Sequence, residues 1–205
     1  EMDYKYEIFE LKQEIEKLEQ QRQVLFEPVT DKPYDFESSI QRAAKEGKLT
    51  SVKYIIEQLV RTNVEEKDGN NGWTPLGIAS SNGHILIVKY LFEKCHANVE
   101  AKNDDDEGRT PLHNASFFSN IEIVKYLIEQ CHANVEARDN DERTALYYAS
   151  HNGHIEVVKY LIEQCHANVE AKDNDGNTPL HFASDNGQIE VVKYLIEQCH
   201  ANVEE

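Results

Sequence analysis

An all-α solenoid built from repeated helix-turn-helix units is the fold class this sequence predicts, and three observations predict it. One string recurs: VKYLIEQCHANVEA runs from Val124 to Ala137 and again from Val158 to Ala171, with a shortened copy from Val192. A variant begins at Val88 and a degenerate copy at Val52. The lysines of these strings, Lys53, Lys89, Lys125, Lys159 and Lys193, are spaced by 36, 36, 34 and 34 residues. Upstream of four of them stands Thr-(Pro/Ala)-Leu, at Thr74, Thr110, Thr144 and Thr178. Self-similarity at a fixed period of a few tens of residues marks units that cannot bury an apolar face alone and must stack. Five units fill about 35–68, 69–104, 105–139, 140–173 and 174–205.

Each unit reads as a helix, a tight turn, a second helix and an extended finger with a β-turn at its tip. In the fifth, Thr178 N-caps a helix whose first turn accepts Pro179, because the N–H that proline lacks would be unpaired there anyway. The helix carries Leu180 and Ala183 and stops at Asn186-Gly187, where glycine supplies the left-handed residue. From Ile189 to Gln198 the spacing i, i+3, i+6, i+7 predicts one apolar face of Ile189, Val192, Leu195 and Ile196. The finger is polar, with Asn174-Asp175-Gly176 at its tip as a tight connection requires.

Residues 1–32 follow a different rule. Tyr4, Ile8, Leu11, Ile15, Leu18 and Leu25 alternate by 4 and 3, a coiled-coil stripe broken by Arg22. Pro28 and Pro33 end this N-terminal helix before the first unit. It packs back as an extra cap, pairs with another copy or a partner helix, or belongs to a larger helical domain.

Composition narrows the function. The chain of 205 residues carries 38 acidic against 21 basic side chains, a formal charge of −17. Such acidity argues against non-specific nucleic-acid binding, which rests on neutralising phosphates, and against anionic membrane surfaces. No apolar run reaches transmembrane length, and the N-terminus is charged rather than signal-like. Four cysteines are too few for a disulfide scaffold. The expectation is a cytoplasmic protein without a cofactor.

Catalytic and metal chemistry find little support. The pairs Cys95-His96, Cys131-His132, Cys165-His166 and Cys199-His200 invite a zinc reading. Stacked helices, however, hold equivalent residues about 10 Å apart, too far for shared coordination or a disulfide. Each Cys reads as a small core residue ending the second helix, with its His at the turn. The tip Asp104-Asp105-Asp106-Glu107 lacks calcium-loop spacing, and no nucleophile motif occurs. No enzyme is expected.

Gly-x-Thr-Pro-Leu-His at Gly176–His181, followed by Ala-Ser-x-Asn-Gly-x-Ile-Glu-Val-Val-Lys-Tyr-Leu-Ile-Glu through Glu197, resembles the ankyrin repeat. The likeness covers roughly 170 residues in five phased copies, and the near-identical second helices further resemble the lineage-expanded ankyrin families of parasitic protists. The copies depart from the family at Cys165-His166, where a single Gly is usual. The resemblance implies that His113 and His181 bond back to the capping threonine and brace the next finger. It also implies a concave partner-binding surface of finger tips and inner helices. Arg42, Lys45, Glu46 and Lys48 suit the first unit to an N-terminal cap, whereas the last unit is as apolar as the internal ones. Either further residues follow it, or its C-terminal face is covered by another molecule.

Within that frame the outer-helix string is nearly invariant, while tips and inner-helix ends differ. A scaffold tolerates duplication; a specific recognition surface does not. The third unit is the odd one, with a longer tip and Phe117-Phe118-Ser119-Asn120 where the others have a polar pair and Gly. Aromatic anchors dominate interface energetics. The candidate partner-binding residues are Trp73, Arg109, Asn114, Phe117, Phe118, Arg143, Tyr148, His151 and Phe182, although Tyr148 and Phe182 serve equally well as inter-repeat filling. The expected partner is a protein, through a basic or mixed segment steered by the acidic fingers. The alternative is self-assembly, a homo-oligomer formed through residues 4–25 or the C-terminal face.

Overall fold

The computed structural model describes residues 37–58, 63–69, 72–104 and 107–203. The expected N-terminal helix and the tip residues Asp105 and Asp106 lie outside them. Among the described residues are ten helices and no strand, arranged as five antiparallel pairs. The inner helices are Glu37–Lys45, Pro75–Ser81, Pro111–Phe117, Ala145–His151 and Pro179–Asp185. The outer helices are Leu49–Gln58, Ile85–Cys95, Ile121–Glu129, Ile155–Glu163 and Ile189–Glu197.

The local signals act as the sequence reading expects. Thr74 Oγ1 accepts the Gly77 N–H at 3.1 Å, and Thr144 Oγ1 that of Tyr147 at 3.4 Å. The Thr110 N–H donates to His113 Nδ1 at 3.0 Å, and the far side of that ring bonds Ala137 O, in the following finger, at 2.9 Å. His181 repeats the first contact with Thr178 at 3.1 Å. Each outer helix of the last four units is followed by a left-handed histidine: His96, His132, His166 and His200, with φ between 54° and 57°. Glycine is the usual occupant of such a helix stop, since a Cβ there costs roughly 1–2 kcal/mol. The Cys-His departure is therefore a strained C-cap repeated four times.

The core of each unit runs along the outer helix at i, i+1 and i+4: Ile87, Val88 and Leu91; Ile123, Val124 and Leu127; Val157, Val158 and Leu161. This corrects the face read for the fifth unit. Its deepest residues are Val191 and Leu195, whereas Ile189 is 67% and Ile196 38% exposed. Both isoleucines face the direction in which each earlier unit receives the next one. Their equivalents Ile155 and Ile162 are half-covered for that reason.

Three ladders of side-chain contacts join neighbouring units. Tyr90, Tyr126, Tyr160 and Tyr194 donate to Glu57, Glu93, Glu129 and Glu163 of the preceding unit at 2.8–3.2 Å. The same rings lie 5.3–5.5 Å from the preceding Lys53, Lys89, Lys125 and Lys159. His84, Asn120, His154 and Gln188, at the outer-helix starts, bond inner-helix carbonyls of the previous unit. Glu65, Glu100, Glu136 and Glu170 accept the N–H groups of Asn98, Asn134, Asn168 and Asn202 at 2.7–2.9 Å. The duplicated string is more than a passive backing: it encodes the adhesion between units, which explains why it is copied almost unchanged.

Candidate functional site

Three equivalent positions of each unit define the variable inner edge. The residue before the capping threonine is Trp73, Arg109, Arg143 or Asn177. Four residues after that threonine come Ile78, Asn114, Tyr148 and Phe182, and seven after it Ser81, Phe117, His151 and Asp185. Successive inner helices abut along the stack, so each row becomes a line of neighbouring side chains across units.

Units three to five fill these rows with rings. Phe117 packs on Phe118 at 4.8 Å between centroids and on Tyr148 at 5.9 Å. Tyr148 meets Tyr147 at 4.9 Å, and Tyr147 meets Phe182 at 4.3 Å and His151 at 5.8 Å. Two arginines lie across this chain. The Arg109 guanidinium is 5.5 Å from the Trp73 ring, 5.3 Å from Phe117 and 5.7 Å from Tyr148. That of Arg143 is 5.3 Å from Tyr147 and 5.7 Å from Tyr148. Cation–π contacts of this kind are worth about 0.5–2 kcal/mol each.

Carboxylates of the fingers hold the arginines. Glu107 pairs with Arg109 at 2.6 Å, and Asp141 with Arg143. Asp139, whose side chain is fully covered, anchors the fourth finger. It accepts the N–H groups of Asp141 and Arg143 at 2.9 Å, Arg143 Nε at 3.0 Å and the Tyr148 hydroxyl at 2.5 Å. Burial, reinforced by that bond to Asp139, pushes the Tyr148 phenol far above its ordinary range. Tyr148 is thus a fixed neutral donor.

The expected residues are brought together, at different depths. Phe118 is 48% exposed. Trp73, Arg109, Phe117, Arg143, His151 and Phe182 are half-buried. Asn114 and Tyr148 are sealed, at 1% and 2% exposure, and Tyr148 fills inter-repeat space as the sequence allowed. Both point between inner helices, so they support the surface from beneath. Tyr147 was missed. It stands where His113 and His181 stand in their units, three residues after the capping threonine, and its aromatic neighbours are Tyr148 and His151 of its own unit and Phe182 of the next. The doublet Tyr147-Tyr148 was the available signal.

Backbone strain borders the same patch. Ser119 (φ 60°) takes the left-handed place of Gly83, Gly153 and Gly187, and Glu142 (φ 63°) that of Gly72, Gly108 and Gly176. Such residues persist where the surrounding structure over-determines them, and they cluster at functional sites.

Among the described residues, no group of three His, Cys, Asp or Glu side chains could hold a metal ion. The four cysteines are free thiols. Burial, with the charge of Glu93 second, pushes Cys131 up to about 12, and burial raises Cys95, Cys165 and Cys199 as well. Because the thiolate is the reacting form, Cys131 is expected to react with Ellman's reagent at pH 8 at least a thousandfold more slowly, by about 3 units of log rate, in the folded chain than in urea. Equal rates would show its thiol to be solvated.

No helix among the described residues is long and apolar enough to cross a membrane. No curated protein matches this chain. A family model described as ankyrin repeats (3 copies) matches residues 40–139 and 130–205. Such repeats are generally non-catalytic protein–protein interaction modules. With that match covering well over half of its length, the chain belongs to the ankyrin-repeat family.

Proposed function

We propose that this chain is an intracellular adaptor that binds a partner protein through the concave aromatic patch of units three to five. The observation that carries the reading is Phe118. A phenylalanine half in water occupies the helix-ending position that Asn82, Asn152 and Asn186 fill in the other units. The ring meets Phe117 edge-on yet keeps about half of its surface in water, and aromatic anchors are what interfaces use. The partner segment is basic or mixed. The local arginines are already paired with Glu107, Asp139 and Asp141, while Asp141, Glu142 and Asp185 are exposed along the rim. Their field favours cationic encounter, and the association slows with added salt. Free cysteines suit a reducing compartment.

Phe118→Asn is the clean test, since Phe117 touches Arg109 and Tyr148 and its removal disturbs packing. The variant is expected to keep its stability within about 0.5 kcal/mol. It is expected to lose about 2 kcal/mol of binding, roughly 30-fold, toward a partner purified on the wild-type chain. Calorimetry of the two proteins decides; unchanged affinity would move the binding surface elsewhere.

A second reading, self-assembly through the C-terminal face, is supported by the exposure of Ile189 and Val203 on the fifth unit. Sedimentation of Ile189→Asp against the wild type separates the two readings. A lost oligomer favours assembly.

A further inference from the structure

We infer that the niche between Trp73, Phe117 and Tyr148 is a guanidinium-recognition subsite, filled in this chain by its own Arg109, and that an arginine side chain of the partner takes that place on binding. The inference deepens the proposed function by naming the group the patch receives.

The seated occupant shows the chemistry. Three rings from units two, three and four surround one cation at 5.3–5.7 Å. A flat, weakly hydrated guanidinium stacks on rings where a compact ammonium keeps its water. The three rings belong to separate repeats, with Arg109 lying among them.

One buried polar atom of the third unit lacks a donor. Asn114 stands in the row where the neighbouring units place Ile78 and Tyr148, one turn before Phe117 on the same helix face. Its side chain is almost fully buried, and its Oδ1 has no hydrogen-bond partner. A sealed amide oxygen without a donor is costly. Arg109 itself is tied toward the finger by Glu107 at 2.6 Å. When a partner's arginine enters, Arg109 swings out on its flexible stem along that carboxylate, exchanging one cation for another without leaving an empty, ring-lined cavity. The exposed carboxylates of Asp141 and Glu142 lie on the rim of the same concave side and favour a cationic visitor.

The experiment uses n-propylguanidinium as the probe, with n-butylammonium as its comparison, on the full chain. In Arg109→Ala the niche is vacated. Propylguanidinium is expected to raise Tm saturably, with half-effect in the millimolar range, and butylammonium to do so at least fivefold less effectively. The wild type should need about tenfold more probe, because Arg109 competes, and Arg109→Ala/Phe117→Ser should not respond. Arg109→Gln, which keeps the stem and removes the charge, serves if the alanine variant unfolds. No saturable response in either single variant overturns the inference, as does an equal response in the wild type or in the double variant. Since the probe is a small cation, these outcomes stand apart from whether Phe118→Asn loses its partner.

Discussion

Replacing Asp139 with alanine is expected to destabilise the chain by about 3–5 kcal/mol, the range for removing one partner of a buried ion pair. The carboxylate is fully covered and accepts two backbone N–H groups, the Arg143 Nε and the Tyr148 hydroxyl. Its loss takes one of two carboxylates from the half-buried Arg143 guanidinium and the acceptor from the sealed Tyr148 phenol, and both belong to the aromatic patch. For a chain of this size a fall in Tm on the order of 10 °C follows. Because units couple to their neighbours, hydrogen exchange should accelerate first in the fourth unit and beside it. A loss below about 1 kcal/mol would show that water replaces the carboxylate there.

Acidification acts through His113. Its ring is fully buried, and that burial lowers its pKa from 6.5 to about 4, opposed by its bond to Ala137 O. In the unfolded chain the imidazole has its ordinary value, so between those two pH values the unfolded state binds more protons. Stability therefore rises with pH across that window; the contribution is complete above about 6.5 and is lost as pH falls toward 4. At pH 5 the loss is about 2 kcal/mol relative to pH 7. His113→Gln lowers stability at neutral pH but should show a shallower slope between pH 7 and 5, by up to one proton. Urea melts of both proteins at several pH values measure the difference. Parallel slopes would mean that the ring is solvated or already charged in the folded chain.

Much of this architecture was legible in the residues. Thr-Pro-Leu-His marks an inner-helix start because a hydroxyl, a ring without an N–H and an imidazole each satisfy a specific need of the first turn. Those needs are local, and the structure meets them at Thr110 and His113 as expected. The doublet Phe117-Phe118 also stood out against its copies, and it sits at the end of the inner helix as the alignment of units required. The outer-helix face was harder. Ile189, Val191, Val192, Leu195 and Ile196 are all apolar, so more than one face of that helix could be the core. Which of them is buried depends on what lies on each side: Val191 meets its own inner helix, while Ile189 points along the stack.

The depth of the candidate site was likewise beyond spacing alone. Asn114 and Tyr148 belong to the same row as the half-exposed Phe182, yet they are sealed because a following unit lies over them. Tyr147 bridges Tyr148 and His151 of its own unit to Phe182 of the fifth, a contact 35 residues distant in sequence. By itself, the sequence determined the repeat, its phase, the caps and turns, and the unit that differs from its copies, because each is set by contacts a few residues apart. Only the tertiary structure decided which side chains surface and which are covered, and that Arg109 lies among three rings. Those facts depend on neighbours more than thirty residues away, brought close by stacking.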